Sequence, residues 1–174
     1  MKYLIILFSL ITFTVKAQTK LDSLILEEIN NYRSSLGLNK VEWDHNCYLA
    51  SNNQAEYLLR KNSEIWPNLY ISHNGDVLPR PYDRYKFYSK SNDYKDIGEI
   101  ITIFSISFDK DSIDYKKVAK KAFEDWKSSP DHHECMKKPN YNYAGSICLW
   151  MEKYTGFKNV YSYRFICITV FIEK

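Results

Sequence analysis

Phe123-Glu124-Asp125-Trp126-Lys127-Ser128-Ser129-Pro130-Asp131-His132 ends a helix and presents an imidazole a few residues beyond its last turn. Upstream, Val118, Ala122 and Trp126 recur at i, i+4 and i+8 while Lys116, Lys117, Lys120 and Lys121 flank them. That period predicts an amphipathic helix over Asp114–Lys127. Proline lacks the amide proton a helix needs, so Ser128-Ser129-Pro130 stops it. A serine in that position ordinarily closes off backbone groups.

Downstream, Gly145–Met151 and Tyr163–Ile172 are rich in β-branched and aromatic residues, and Thr155-Gly156-Phe157-Lys158-Asn159 between them reads as a turn. A regular hairpin centred on Phe157/Lys158 places Cys148 directly opposite Cys167. Opposed Cβ atoms in a ladder lie about 4.5–5.5 Å apart, close to disulfide geometry, so a Cys148–Cys167 bridge is expected. Cys47 and Cys135 are left either to pair or, for Cys47, to stand as a buried helix thiol.

Toward the N-terminus, Leu21, Leu24, Ile25, Ile29, Tyr32 and Leu36 follow helical spacing, and Gly37 is placed to end that helix in the left-handed conformation. Asp44 can cap a second helix running to about Asn62, with Cys47, Ala50, Ala55 and Leu58 on its inner line. Ser63–Asp96, broken by Pro67, Gly75, Pro79 and Pro81, reads as a long irregular segment of the kind that carries function. Ile97–Phe108 has strand composition, but its opening Gly98-Glu99 suits a loop or short helix as well. Two helices, a mixed middle, a third helix and a terminal hairpin make an α+β layered domain without internal repeats.

The first seventeen residues combine Lys2, an apolar run from Leu4 to Val15 and the small residue Ala17, the pattern of a cleavable secretory signal peptide. Thr12, Thr14 and Lys16 interrupt the run before the roughly 18 apolar residues a membrane span needs. Residues 18–174 are then one mature domain in a secreted or periplasmic protein, where disulfides persist. Loss of Lys2 and Lys16 with the signal lowers the formal charge from +3 to +1, which offers no footprint for nucleic acid or an anionic membrane.

The order of landmarks resembles one family. Asn30/Asn31-Tyr32-Arg33 with Gly37, and Val41-Glu42-Trp43-Asp44, resemble the first helix and the start of the second in bacterial CAP (SCP) domains, the cysteine-rich secretory, antigen 5 and pathogenesis-related superfamily. Ser72-His73 resembles its "S-H", Gly98-Glu99 its "G-E-N", and Trp126 to His132 its "W-x-x-S-P-G-H". Ala144-Gly145 and Tyr161 to Phe165 look like its closing strands. Ile100 replaces the family Asn, Asp131 the Gly, and His133 stands where Arg is common. The resemblance implies a three-layer αβα sandwich with an antiparallel central sheet and a cleft lined by His73, Glu99, Ser129 and His132.

Two imidazoles from separate loops can each give one nitrogen to a divalent cation such as zinc, leaving positions open. His73 and His132 are the expected ligands, with Glu99 orienting a ring or a bound water. The alternative is that the two rings merely hydrogen-bond across the cleft. A hydrolase reading uses Glu99 with His132 on such a water, or Ser129 as nucleophile. His45 is expected to be solvated, and His132 rather than the adjacent His133 is expected to be the inward ring, with His133 as the alternative. The family is associated with extracellular ligands that include lipids and sterols, and Trp66, Leu69, Tyr70, Tyr82, Tyr85, Phe87 and Tyr88 offer an aromatic surface for them. No phosphate loop, nucleophile elbow or dinucleotide fingerprint is present.

Overall fold

The computed structural model describes residues 20–157 and 159–174; the expected signal peptide, residues 1–17, lies outside them. Helix α1 covers residues 20–35. It is followed by β1 (Glu42–Trp43), α2 (His45–Glu64), α3 (Pro81–Ser89), β2 (Asp96–Asp109), α4 (Tyr115–Ser128), α5 (Pro130–Lys137), β3 (Tyr143–Tyr154) and β4 (Val160–Glu173). The strands form one sheet in the order β1-β3-β4-β2.

Alternation along β4 builds both faces of that sheet, since successive side chains of a strand point to opposite sides. Phe165, Cys167 and Phe171 join Leu21, Ile25 and Ile29 of α1, Val118, Ala122 and Trp126 of α4 and Met136 of α5 in one core. Ile166 and Ile168 meet Ala55 and Leu58 of α2, while Val170 and Ile172 meet Cys47, Ala50 and Tyr85. The result is the expected αβα sandwich. Its sheet is mixed rather than purely antiparallel, because β1 pairs in parallel with β3 through Glu42↔Tyr143 and Trp43↔Ala144.

The local chemistry of the element ends follows the sequence. Asp44 accepts from Cys47 N to cap α2 and Asp114 accepts from Lys117 N to cap α4. Gly37 adopts φ +72°, the left-handed stop. Leu36 lies beyond the helix and is exposed. The β3–β4 ladder keeps one register throughout, from Tyr143↔Ile172 to Tyr154↔Tyr161, and so opposes Cys148 to Cys167. The two form a disulfide. Cys47 and Cys135 are both free, Cys47 buried on α2 and Cys135 half-buried on α5.

Two expectations are corrected. Ser63–Asp96 is not irregular throughout: Pro81 begins α3. Proline at a first helical position costs nothing, because that amide has no helical partner anyway. Asp83 also reaches back to the Arg80 amide at 3.1 Å. Gly98 and Glu99 lie within β2 and pair with Phe171 and Val170, so neither belongs to a loop. Ser128-Ser129-Pro130 ends α4 as expected, at Ser128 with Ser129 extended, and Pro130 then opens the separate helix α5.

Candidate functional site

The sheet order leaves β2 at an edge, and there the two helical layers come within reach of each other. Residues of β2 alternate: Ile100 and Phe104 enter the core beneath α1, α4 and α5, whereas Ile101 faces α2. Glu99 shares the α2/α3 side with Ile101 and meets Arg84 of α3. The glycine before it matters here. A Cβ on Gly98 would lie 2.6 Å from both Cys135 Sγ and Tyr141 Oη, so only glycine lets α5 come this close to the strand. That approach carries His132, in the first turn of α5, to the same edge.

Four side chains are thereby linked. His73, from the α2–α3 connection, donates from Nδ1 to Glu99 Oε1 at 2.9 Å. Glu99 Oε2 accepts from Arg84 Nη2 in an ion pair whose side chains are only 1% and 0% exposed. Arg84 also donates to the carbonyls of Leu78 and Pro79 at 3.1 Å each, and to that of His73 at 3.4 Å. It therefore fixes the backbone that carries His73 as well as the carboxylate that orients the ring. Gln54 of α2 adds Nε2 to the Ser72 carbonyl at 2.6 Å. The His73 side chain remains 49% exposed, and its ring centroid is 6.0 Å from that of His132.

The electrostatics suit a neutral ring at His132. Burial, and then the neighbouring His73, push His132 below the ordinary imidazole value. A neutral imidazole keeps one nitrogen lone pair. With Nδ1 of His73 given to Glu99, the lone pair of that ring sits on Nε2. Among the described residues no group of three or more His, Cys, Asp or Glu is arranged to hold a metal ion.

Ser129 stands apart from this linkage. It is the hinge residue between α4 and α5, with φ −91° and ψ 118°, and its side chain makes no capping hydrogen bond. Ser128 instead donates to the Asp125 carbonyl at 2.8 Å, so the backbone-closing role expected of Ser129 belongs to its neighbour. His133 does not substitute for His132: its Nε2 is 2.5 Å from the Tyr32 hydroxyl, toward α1. His45 is exposed and stacks on Tyr48.

The long connection is anchored at its start by Arg164 of β4, which donates to the carbonyls of Asn68 and Pro67 at 2.8 and 2.6 Å. Its guanidinium lies 3.9 Å from the centroid of the Trp66 ring. Asn62 pairs with Tyr70 through both backbone groups. Of the aromatic surface expected here, Tyr85 is core and Trp66 is held under Arg164, whereas Leu69, Tyr70 and Phe87 are exposed, as are the neighbouring Ile71 and Val77. Nothing in the sequence singles out Gln54. The only signal for Arg84 is its place just after Arg80-Pro81-Tyr82-Asp83, where the proline reads as a breaker although it starts a helix.

A sequence model described as CAP, the cysteine-rich secretory protein family, matches residues 26–168. No curated protein sequence matches the chain. Among solved structures, an extracellular protein containing an SCP domain from Bacillus anthracis is similar at 17% identity and TM-score 0.61, over 90% of this chain and 41% of that one. An outer surface protein from Borrelia burgdorferi is similar at 20% identity and TM-score 0.57, over 89% and 93%. A cysteine-rich secretory protein from Staphylococcus aureus is similar at 14% identity and TM-score 0.51, over 90% and 39%. The chain therefore spans about four tenths of the Bacillus and Staphylococcus chains and nearly all of the Borrelia one.

Proposed function

For a chain that belongs to the cysteine-rich secretory protein family, we propose the role of an extracellular ligand-binding or interaction module whose His73–His132 cleft takes a divalent cation, zinc by the chemistry of its donors. The observation that carries this reading is the bond from His73 Nδ1 to Glu99. A carboxylate on the far nitrogen is the usual partner of a metal-bound imidazole and sets which nitrogen faces the ion. His132, kept toward its neutral form beside it, supplies the second donor. A bound cation supplies positive charge with open positions for an oxygen of a ligand. Two protein donors are one fewer than catalytic zinc usually has, so the ion is held weakly.

An extracellular setting is favoured by the signal-like N-terminus and by the similar Bacillus and Borrelia structures, described as an extracellular and an outer surface protein. No helix among the described residues is long and apolar enough to cross a membrane. The exposed Leu69, Tyr70 and Ile71 on the connection that carries His73 suit an apolar partner such as a lipid or sterol.

The interaction reading is favoured over a metal-dependent hydrolase using the same cleft by two features. The Ser129 side chain lies at the α4–α5 hinge, outside the hydrogen-bonded linkage of His73, Glu99 and Arg84. Glu99 commits one oxygen to His73 and the other to Arg84. The test is turnover of casein and of a p-nitrophenyl ester with and without added zinc. We expect no rate above buffer. Zinc-dependent turnover that vanishes on replacing both histidines would transfer the cleft to the hydrolase class.

A further inference from the structure

At the opposite edge of the sheet, β3 loses its partner after Ala144, because β1 is only two residues long. The start of α1 covers the gap: Asp22 Oδ1 accepts from Cys148 N at 2.8 Å. Between that helix start, β1 and the first turn of α2 opens a pocket of about 410 Å³ lined by Asp22, Ser23, Trp43, His45 and Tyr48. It shares no residue with the His73 cleft.

Two kinds of unbalanced group line it. Trp43 is 44% exposed, its ring 5.3 Å from that of Tyr48 and tilted by 43°, and the His45 ring stacks on Tyr48 as well. Several other rings carry Lys or Arg over their faces, Tyr32, Trp66, Tyr82, Phe104 and Tyr143 among them. Among the described residues no such cation lies over Trp43 or Tyr48. Asp22 is 2% exposed, and none of the ion pairs among the described residues includes it. Burial accordingly pushes its carboxyl up to about 8, against a smaller lowering by the Cys148 amide. A buried carboxyl lacking a counter-charge and an exposed Trp43 ring in one pocket are complementary to an organic cation. Ring quadrupoles attract such a cation, and desolvation strengthens the attraction.

We propose that this pocket binds an alkylated ammonium group, its head against the Trp43 and Tyr48 rings and its charge opposite the Asp22 carboxylate. A compact, strongly hydrated metal ion suits aromatic walls poorly, whereas methylated nitrogen spreads its charge over apolar surface that the rings can cover. Such a head occurs on free choline-type molecules and on phosphocholine lipids, and both present the same chemistry to the pocket.

The experiment measures binding of choline and of its uncharged isostere 3,3-dimethylbutanol by tryptophan fluorescence and by NMR shifts. It uses the intact protein, Trp43→Ala and Asp22→Asn. Binding is measured at about pH 9, where the Asp22 carboxyl, pushed up to about 8 by burial, is ionised; asparagine keeps an acceptor for Cys148 N and cannot carry that charge. Trp43 is exposed, so its removal leaves the core untouched, and a thermal melt checks both variants. We expect saturable choline binding, at least about tenfold weaker for the isostere, lost in Trp43→Ala and weakened about fivefold or more in Asp22→Asn. Equal binding of the isostere, binding indifferent to Trp43→Ala, or no saturation with choline overturns the proposal. Phosphatidylcholine vesicles then separate the sources. Retention that choline competes away assigns the lipid head, choline binding without retention assigns a soluble cation, and retention unchanged by choline and by Trp43→Ala counts against the site.

Discussion

Glu99 carries its charge where a lone carboxylate would be costly, and Arg84 makes that tenable. Both side chains are essentially without solvent contact, so removing one partner leaves an uncompensated buried charge. Arg84→Met is therefore predicted to cost about 3–5 kcal/mol in urea unfolding, and the Arg84→Met/Glu99→Gln protein to recover more than half of that loss. Equal stability of the single and double variants would mean that the pair is not coupled. Asp22 supplies a second test at this scale. Its folded pKa of about 8 lies above the ordinary carboxyl value, so the folded state holds a proton that the unfolded state releases. Its contribution is complete below about pH 4 and is lost as pH rises through about 8. Asp22→Asn should flatten the fall in unfolding free energy between those limits, leaving the variant the more stable protein at pH 8. Parallel stability curves for the two proteins would contradict this assignment.

Among the elements, the β3–β4 hairpin shows how much a sequence can hold. Its register follows from a turn centred on Phe157/Lys158, and the same count that opposes Cys148 to Cys167 runs true to both ends of the ladder. The crosslink closes a separation of 19 residues, for which the chain-entropy argument gives about 3 kcal/mol. The Cys148→Ala/Cys167→Ala protein should lose about 2–4 kcal/mol, and its circular dichroism should stay native because the hairpin is also held by two faces of core. A loss below about 0.5 kcal/mol would show that the crosslink restricts the unfolded chain very little. The helix caps Asp44 and Asp114 are equally legible, since capping is a local code. β1 is not, because a two-residue parallel pairing has no period. α3 escapes for the opposite reason, as Pro81 reads as a break although a helix start favours it. Arg84 is hidden with α3, and an arginine acquires meaning only when tertiary burial removes its water.

Over the whole molecule, the sheet separates two edges with different chemistry. At the β2 edge a loop from the α2 layer and a helix from the α4/α5 layer deliver His73 and His132 to one place, with Glu99 from the strand itself. The meeting of those residues is legible from family landmarks, whereas the Arg84 support beneath them requires the fold. At the opposite edge the Asp22 pocket is built from the starts of α1 and α2 and from β1 and shares no residue with the His73 cleft, so a variant at one edge should leave the other unaltered. The central claim is that the two imidazoles form a cation site. Isothermal titration of zinc into metal-stripped protein at pH 7, beside the His73→Ala/His132→Ala protein, tests it directly. Saturable one-to-one binding that disappears in the double variant, with unchanged circular dichroism, is the predicted result; equal zinc affinity in both proteins, or none in the intact one, would contradict it.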